Sequence, residues 1–85
     1  MDKIELSVQA IMSDVFGVDK ELIGIESSQD DIDNWDSLNH LDLIVSLEEE
    51  FDIIFPIEDI GNLVSCKLIK VIIEEQLQIG GKIYQ

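Results

Sequence analysis

From Lys3 to Phe16 the apolar residues Ile4, Val8, Ile11, Met12, Val15 and Phe16 recur at steps of three and four, the spacing that lines one face of a helix. Gly17 supplies a stop. From Val18 to Trp35 the period dissolves among Gly24, Ser27, Ser28, Gln29 and an acidic run of Asp30, Asp31 and Asp33 with Asn34, which predicts a long connection. In a chain of 85 residues a connection of that length is usually functional.

Periodicity returns from Ser37 to Phe51, and at roughly 100° per residue it resolves into two apolar arcs. Leu43, Ile44, Leu47 and Phe51 form a broad arc that faces the core. Leu38, Leu41 and Val45 form a narrower stripe that points elsewhere and is bordered by Asp42, Glu48 and Glu49. The helix therefore carries a small greasy strip with an acidic rim, and Ser37 lies beside it on the first turn.

Beyond Asp52 the only proline, Pro56, suits the start of a short helical turn with Glu58 and Asp59 near its beginning. A last helix is predicted from about Ser65, a good N-cap, to about Gln78, with Leu68, Ile69, Ile72, Ile73 and Leu77 inward and Gly80 and Gly81 ending it. No strand pattern competes and no repeat is present. The expectation is an all-α bundle of three main helices plus a short third one, with a long first loop, forming a single domain over residues 1–85.

Charge then narrows the partners. Asp and Glu outnumber Lys and Arg by 19 to 5, for a formal charge of −14, while 46% of the chain is hydrophobic, enough for a folded globule. Such a surface repels nucleic acid and anionic lipid and attracts basic protein surfaces. A single cysteine, Cys66, excludes an internal disulfide and any CxxC pair, and reads most simply as a small hydrophobe in a cytoplasmic protein. No apolar run is long enough to span a bilayer, and MDKIEL lacks the features of a signal peptide, so the chain is expected to be mature and soluble.

Several chemistries can be weighed against these residues. Ser37 and His40 could approach each other three residues apart on a helix. A serine nucleophile also needs an orienting carboxylate, oxyanion donors and a cleft, none of which is signalled, so no catalytic residue is assigned. The stretch from Asp31 fails as a calcium loop, because Trp35 and Asp36 stand where a ligand and the turn glycine belong; no metal site is assigned. His40 falls in the core arc and reads as a structural histidine, and Trp35 as a lid or staple before the helix. Ser37 could cap the helix, but so could Asp36. With Asp36 as the cap, Ser37 is left exposed at the first helical position, where a phosphate would meet the positive end of the helix dipole.

Asp36-Ser37-Leu38, preceded by an acidic loop and followed by an apolar helix ending in Glu48-Glu49-Glu50-Phe51, resembles the acyl carrier protein family. The likeness extends over nearly the whole chain: an opening amphipathic helix, GVDKELIGIESS as the long connection, Pro56 before a short third helix, and a closing helix ending in IEEQL. It implies an acyl-carrier-like four-helix bundle and a non-enzymatic role. Ser37 would be esterified by 4'-phosphopantetheine, taken from coenzyme A by a phosphopantetheinyl transferase. Acyl groups would then ride as thioesters between enzymes of fatty-acid, polyketide or related acyl assembly. Asp36, Leu38, Leu41, Asp42, Val45, Glu48 and Glu49 would form the docking face for the basic patches of the transferase and the acyl-loading and acyl-transferring enzymes. A free-standing monomer is expected, with no nucleic acid partner and no membrane span.

The sequence departs from the housekeeping pattern in three places. Asn39 stands where fatty-acid carriers commonly have another acid, Ile54 and Phe55 make the stretch before Pro56 greasier, and Trp35 beside the motif resembles specialised carriers, including D-alanyl ones. Fatty acyl and aminoacyl or peptidyl cargo both stay open, and an unmodified acidic helical adaptor is the rival from another class. The charge alone generates a first prediction. The melting temperature should climb by several degrees as salt or magnesium is added from low ionic strength, whereas a flat profile would contradict self-repulsion in so small a bundle.

Overall fold

Val8, Met12 and Phe16, one helical turn apart, form the buried stripe of α1 (Lys3–Phe16) in the computed structural model, which describes residues 3–78. Ile4, Ile11 and Val15 pack against the same core from its edge. Gly17 adopts φ +67 and passes the chain out of the helix, its N–H returning to the Ser13 carbonyl at 2.9 Å, as the sequence predicted. Three further helices follow: α2 (Ser37–Phe51), the single-turn α3 (Ile57–Ile60) and α4 (Cys66–Gln78). Helix α1 packs against both α2 and α4. Among the described residues there is no named strand, and the all-α expectation is met.

The long connection is more ordered than its composition suggested. It contains two 3-10 turns, Lys20–Leu22 and Gln29–Asp31, and sends Ile23, Ile32 and Trp35 into the core. Gln9 of α1 holds the first turn, its side-chain amide donating to the carbonyls of Lys20 and Ile23 at 2.6 and 2.7 Å. An isolated antiparallel bridge between Ser28 and Ser65 holds the second: Gln29 N–H donates to Val64 O and Cys66 N–H to Ser27 O. Backbone polar groups that would otherwise be left bare are thereby satisfied.

Helix α4 starts where expected, with the Ser65 hydroxyl accepting the Leu68 N–H at 3.2 Å. Its inward stripe is Cys66, Ile69 and Ile73. This corrects two expected core positions, for Leu68 and Leu77 are both exposed. Leu68 sits about 100° round the helix from Ile69 and off the stripe. Leu77 has the inward phase but lies in the last turn, where with Ile4 at the start of α1 it lines only an open groove. Gly80 and Gly81 lie outside the described residues. A Lys70 Nζ to Glu5 Oε1 ion pair at 2.8 Å ties α4 to α1.

Burial pushes the Cys66 thiol up from its ordinary value, reinforced by the Glu5 carboxylate and opposed by Lys70. The folded protein therefore holds this proton more tightly than the unfolded chain does. The resulting stability is whole below the ordinary thiol range and fades as pH rises through the raised folded value. Alkylation of Cys66 at mildly alkaline pH should be orders of magnitude slower than in denaturant; comparable rates in the two states would show the thiol to be accessible.

Candidate functional site

The start of α2 is built by Asp36. Its backbone is extended, at φ −101 and ψ −179, and its Oδ1 accepts the Asn39 N–H at 2.8 Å, which makes it the N-cap. Ser37 is consequently the first residue of the helix, exposed, and among the described residues nothing hydrogen-bonds its hydroxyl. The choice left open by the sequence falls to Asp36. A helix start also gathers free backbone N–H groups and positive potential; the Asp36 carboxylate offsets part of it, and the first turn adds no further acid.

The loop before α2 is fastened at four points. Asn39 Nδ2 donates to Asn34 O at 2.8 Å, and Asn34 Nδ2 donates to Phe16 O, the last carbonyl of α1, also at 2.8 Å. Gln29 Nε2 donates to Trp35 O at 3.2 Å. Trp35, 3% exposed, lays its ring against Phe16 with centroids 5.0 Å apart and donates its indole N–H to His40 Nδ1 at 2.9 Å. An indole N–H can only donate, so Nδ1 carries no proton; Nε2 carries it and donates to Ile60 O of α3 at 2.8 Å. His40 is thus the structural histidine that its phase predicted, and Trp35 packs as a staple.

Leu38, Leu41 and Val45 stand out from α2, 77%, 56% and 52% exposed, while Leu43, Ile44 and Leu47 are buried on the other side. Asp42 and Glu49 are exposed beside the stripe. Glu48 differs from its neighbours: it is half-buried, and its Oε2 accepts the Phe55 N–H at 2.9 Å, holding the segment before α3. Leu41 is the ridge between two open grooves. One, of about 330 Å³, is lined by Gln29, Ser37, His40, Leu41, Gly61 and Val64; the other, of about 410 Å³, by Leu38, Asn39, Leu41, Asp42 and Val45.

Sequence reasoning missed Gln29, Gly61 and Val64 as neighbours of Ser37, because a backbone bridge between distant loops leaves no local signal. It also missed the exposure of Ile54 and Ile57, 72% and 86%. Ile53 and Phe55 are buried and Ile54 is not, the alternation of an extended segment, but all three are apolar, so the sequence carries no period-two signal for it.

No family model matches the chain. A stretch of 64 residues, 75% of this chain, is 34% identical to an acyl carrier protein of Syntrophobacter fumaroxidans and covers 79% of it. A stretch of 52 residues, 61% of this chain, is 46% identical to an acyl carrier protein of Clostridium acetobutylicum and covers 68% of it. The fold is similar to the solution NMR structure of a holo acyl carrier protein from Geobacter metallireducens, with a TM-score of 0.82 and 28% identity over 99% of this chain and 97% of that one.

The hydrogen-bonded pair behind Ser37 carries its own prediction. Trp35→Phe keeps a ring against Phe16 but strips His40 Nδ1 of its donor, and should cost about 1–3 kcal/mol in urea unfolding. A loss well inside about 0.5 kcal/mol would mean that the bond contributes little.

Proposed function

The chain belongs to the acyl carrier protein family, and on that footing we propose that Ser37 bears a 4'-phosphopantetheine arm and that the protein is a carrier and not an enzyme. The observation that supports this most directly is the division of work between two neighbours: Asp36 caps α2, so the Ser37 hydroxyl is left exposed and uncommitted. The local chemistry suits a phosphodiester. Its negative charge would lie at the positive end of α2, which the Asp36 cap offsets only in part, and the adjoining groove offers room beside the oxygen. When attached, the arm supplies a terminal thiol that holds an acyl group as a thioester.

Everything else is done by the chain's own residues. They hold the anchor still, present a surface to partners and leave the chemistry to them. A tether of this kind raises the effective concentration of cargo at each partner's active site. Leu38, Leu41 and Val45, with Asp36, Asp42 and Glu49 and the half-buried Glu48, form the docking face in this reading. Apolar contact contributes affinity there, and acidic charge steers basic patches of the transferase and the acyl-handling enzymes. Residues 1–85 act as one carrier domain, a cytoplasmic monomer in fatty-acid, polyketide or related acyl assembly. Among the described residues no helix is long and apolar enough to cross a membrane.

Incubation with coenzyme A, magnesium and a broad-specificity transferase should add one phosphopantetheine to the intact mass. Ser37→Ala should abolish the gain; an adduct that survives it would move the anchor elsewhere. Asp42→Lys with Glu49→Lys, both exposed and free of the Phe55 contact that makes Glu48 a poorer probe, should lower the transferase kcat/KM roughly tenfold, equivalent to about 1.4 kcal/mol at the interface. Unchanged kinetics would remove these residues from the docking face.

A further inference from the structure

The groove beside Ser37 meets the interior at His40, and there the structure is shut. His40 lines the groove, yet both of its ring nitrogens are committed, Nδ1 to the indole of Trp35 and Nε2 to the carbonyl of Ile60. One side chain therefore joins the loop before α2, α2 itself and α3. Trp35 belongs to a core cluster with Phe16, Leu43, Leu47 and Phe55, all with almost no exposed surface.

We infer that this Trp35–His40–Ile60 latch bars the core to whatever is tethered at Ser37, so that the carrier holds its acyl group outside the bundle, as suits short or polar acyl groups and not long alkyl chains. The inference rests on the carrier reading above and names its substrate class. An alkyl chain entering between α2 and α3 must first swing the His40 ring. That leaves the indole N–H of the buried Trp35 without its partner and frees the Ile60 carbonyl. A buried donor left without a partner costs more than its hydrogen bond contributes. A short acyl group has too few methylenes to offset that loss by burial. A longer one must also push Trp35 off Phe16 in an interior that, like protein cores generally, is close-packed. A polar acyl group gains nothing by entering and can stay among Gln29, Ser37 and His40 at the surface.

The test loads the full chain from acetyl-coenzyme A and from octanoyl-coenzyme A with the same transferase. Three readouts follow: melting temperature, emission of Trp35, the only tryptophan, and the rate at which hydroxylamine cleaves the thioester. The expected result is that the two forms match in all three. An octanoyl form that melts several degrees higher, shifts the emission and resists hydroxylamine severalfold is a chain buried in the core, and overturns the inference while leaving the carrier reading intact. In folded His40→Ala the latch is gone, and the octanoyl thioester should become severalfold slower to cleave than the acetyl one. Equal cleavage there would mean that something other than the latch keeps the chain out, and the inference falls. The wild-type comparison decides whether or not that variant folds. If no mass is added at Ser37 from either donor, the carrier reading itself fails and takes the inference with it.

Discussion

One hydrogen bond, from the Asn39 N–H to the Asp36 carboxylate, decides what the start of α2 can do. Two adjacent residues could each have capped the helix, and an N-cap contributes about 0.5–2 kcal/mol to stability. Had Ser37 taken the cap, its hydroxyl would have been spent on the helix. Because Asp36 takes it, the helix begins one residue earlier, at Ser37, and the serine is left exposed. The carrier reading depends on this partition: the fold is stabilised by one residue and the chemistry is left to the next.

A cap fixes a hydroxyl only as well as the loop that holds the cap is fixed. Here that loop is tied in several directions, through Asn34 to the end of α1, through Trp35 into the core and through His40 to α3. None of these bonds touches Ser37. Each limits how far its backbone can wander, and together they make the start of α2 part of the bundle's rigid frame. Asn39 explains one of the departures noted in the sequence. An acid at that position could still receive the cap with its backbone N–H, but it could not donate to the Asn34 carbonyl, so the amide exchanges a surface charge for an internal tie.

Much of this is legible in the sequence, and for a uniform reason. The helices of α1 and α2 declared themselves because burial of one face imposes a period, and Leu43, Ile44 and Leu47 on one side with Leu38, Leu41 and Val45 on the other follow from angle alone. His40 was readable by the same arithmetic. What escaped was non-local or terminal. The bridge between Ser28 and Ser65 joins loops with no pattern of their own, so the residues that it brings beside Ser37 had no signature. Leu77 has the right phase, yet phase says nothing about whether a neighbour is present at that height. Glu48 looked like one more rim charge, and its hydrogen bond to Phe55 depends on how the chain returns after α2.

The charge on α2 runs against its dipole. Glu48, Glu49 and Glu50 crowd the last turn, Asp52 follows at the C-cap, and the helix has no basic residue there to offset them. Acids at a helix C-terminus each cost on the order of 0.3–1 kcal/mol when exposed, and propensity alone would not choose this arrangement. It is tolerated because the buried stripe of Leu43, Ile44 and Leu47 and the two caps hold the helix regardless. The first turn itself has no acid, so beside Ser37 only the Asp36 cap offsets the positive end, while acids gather at the opposite end and along the flank. A helix optimised for its own stability would have carried bases and not acids in its last turn. On the carrier reading, the cost borne in α2 is the physical counterpart of an acidic flank offered to basic partners.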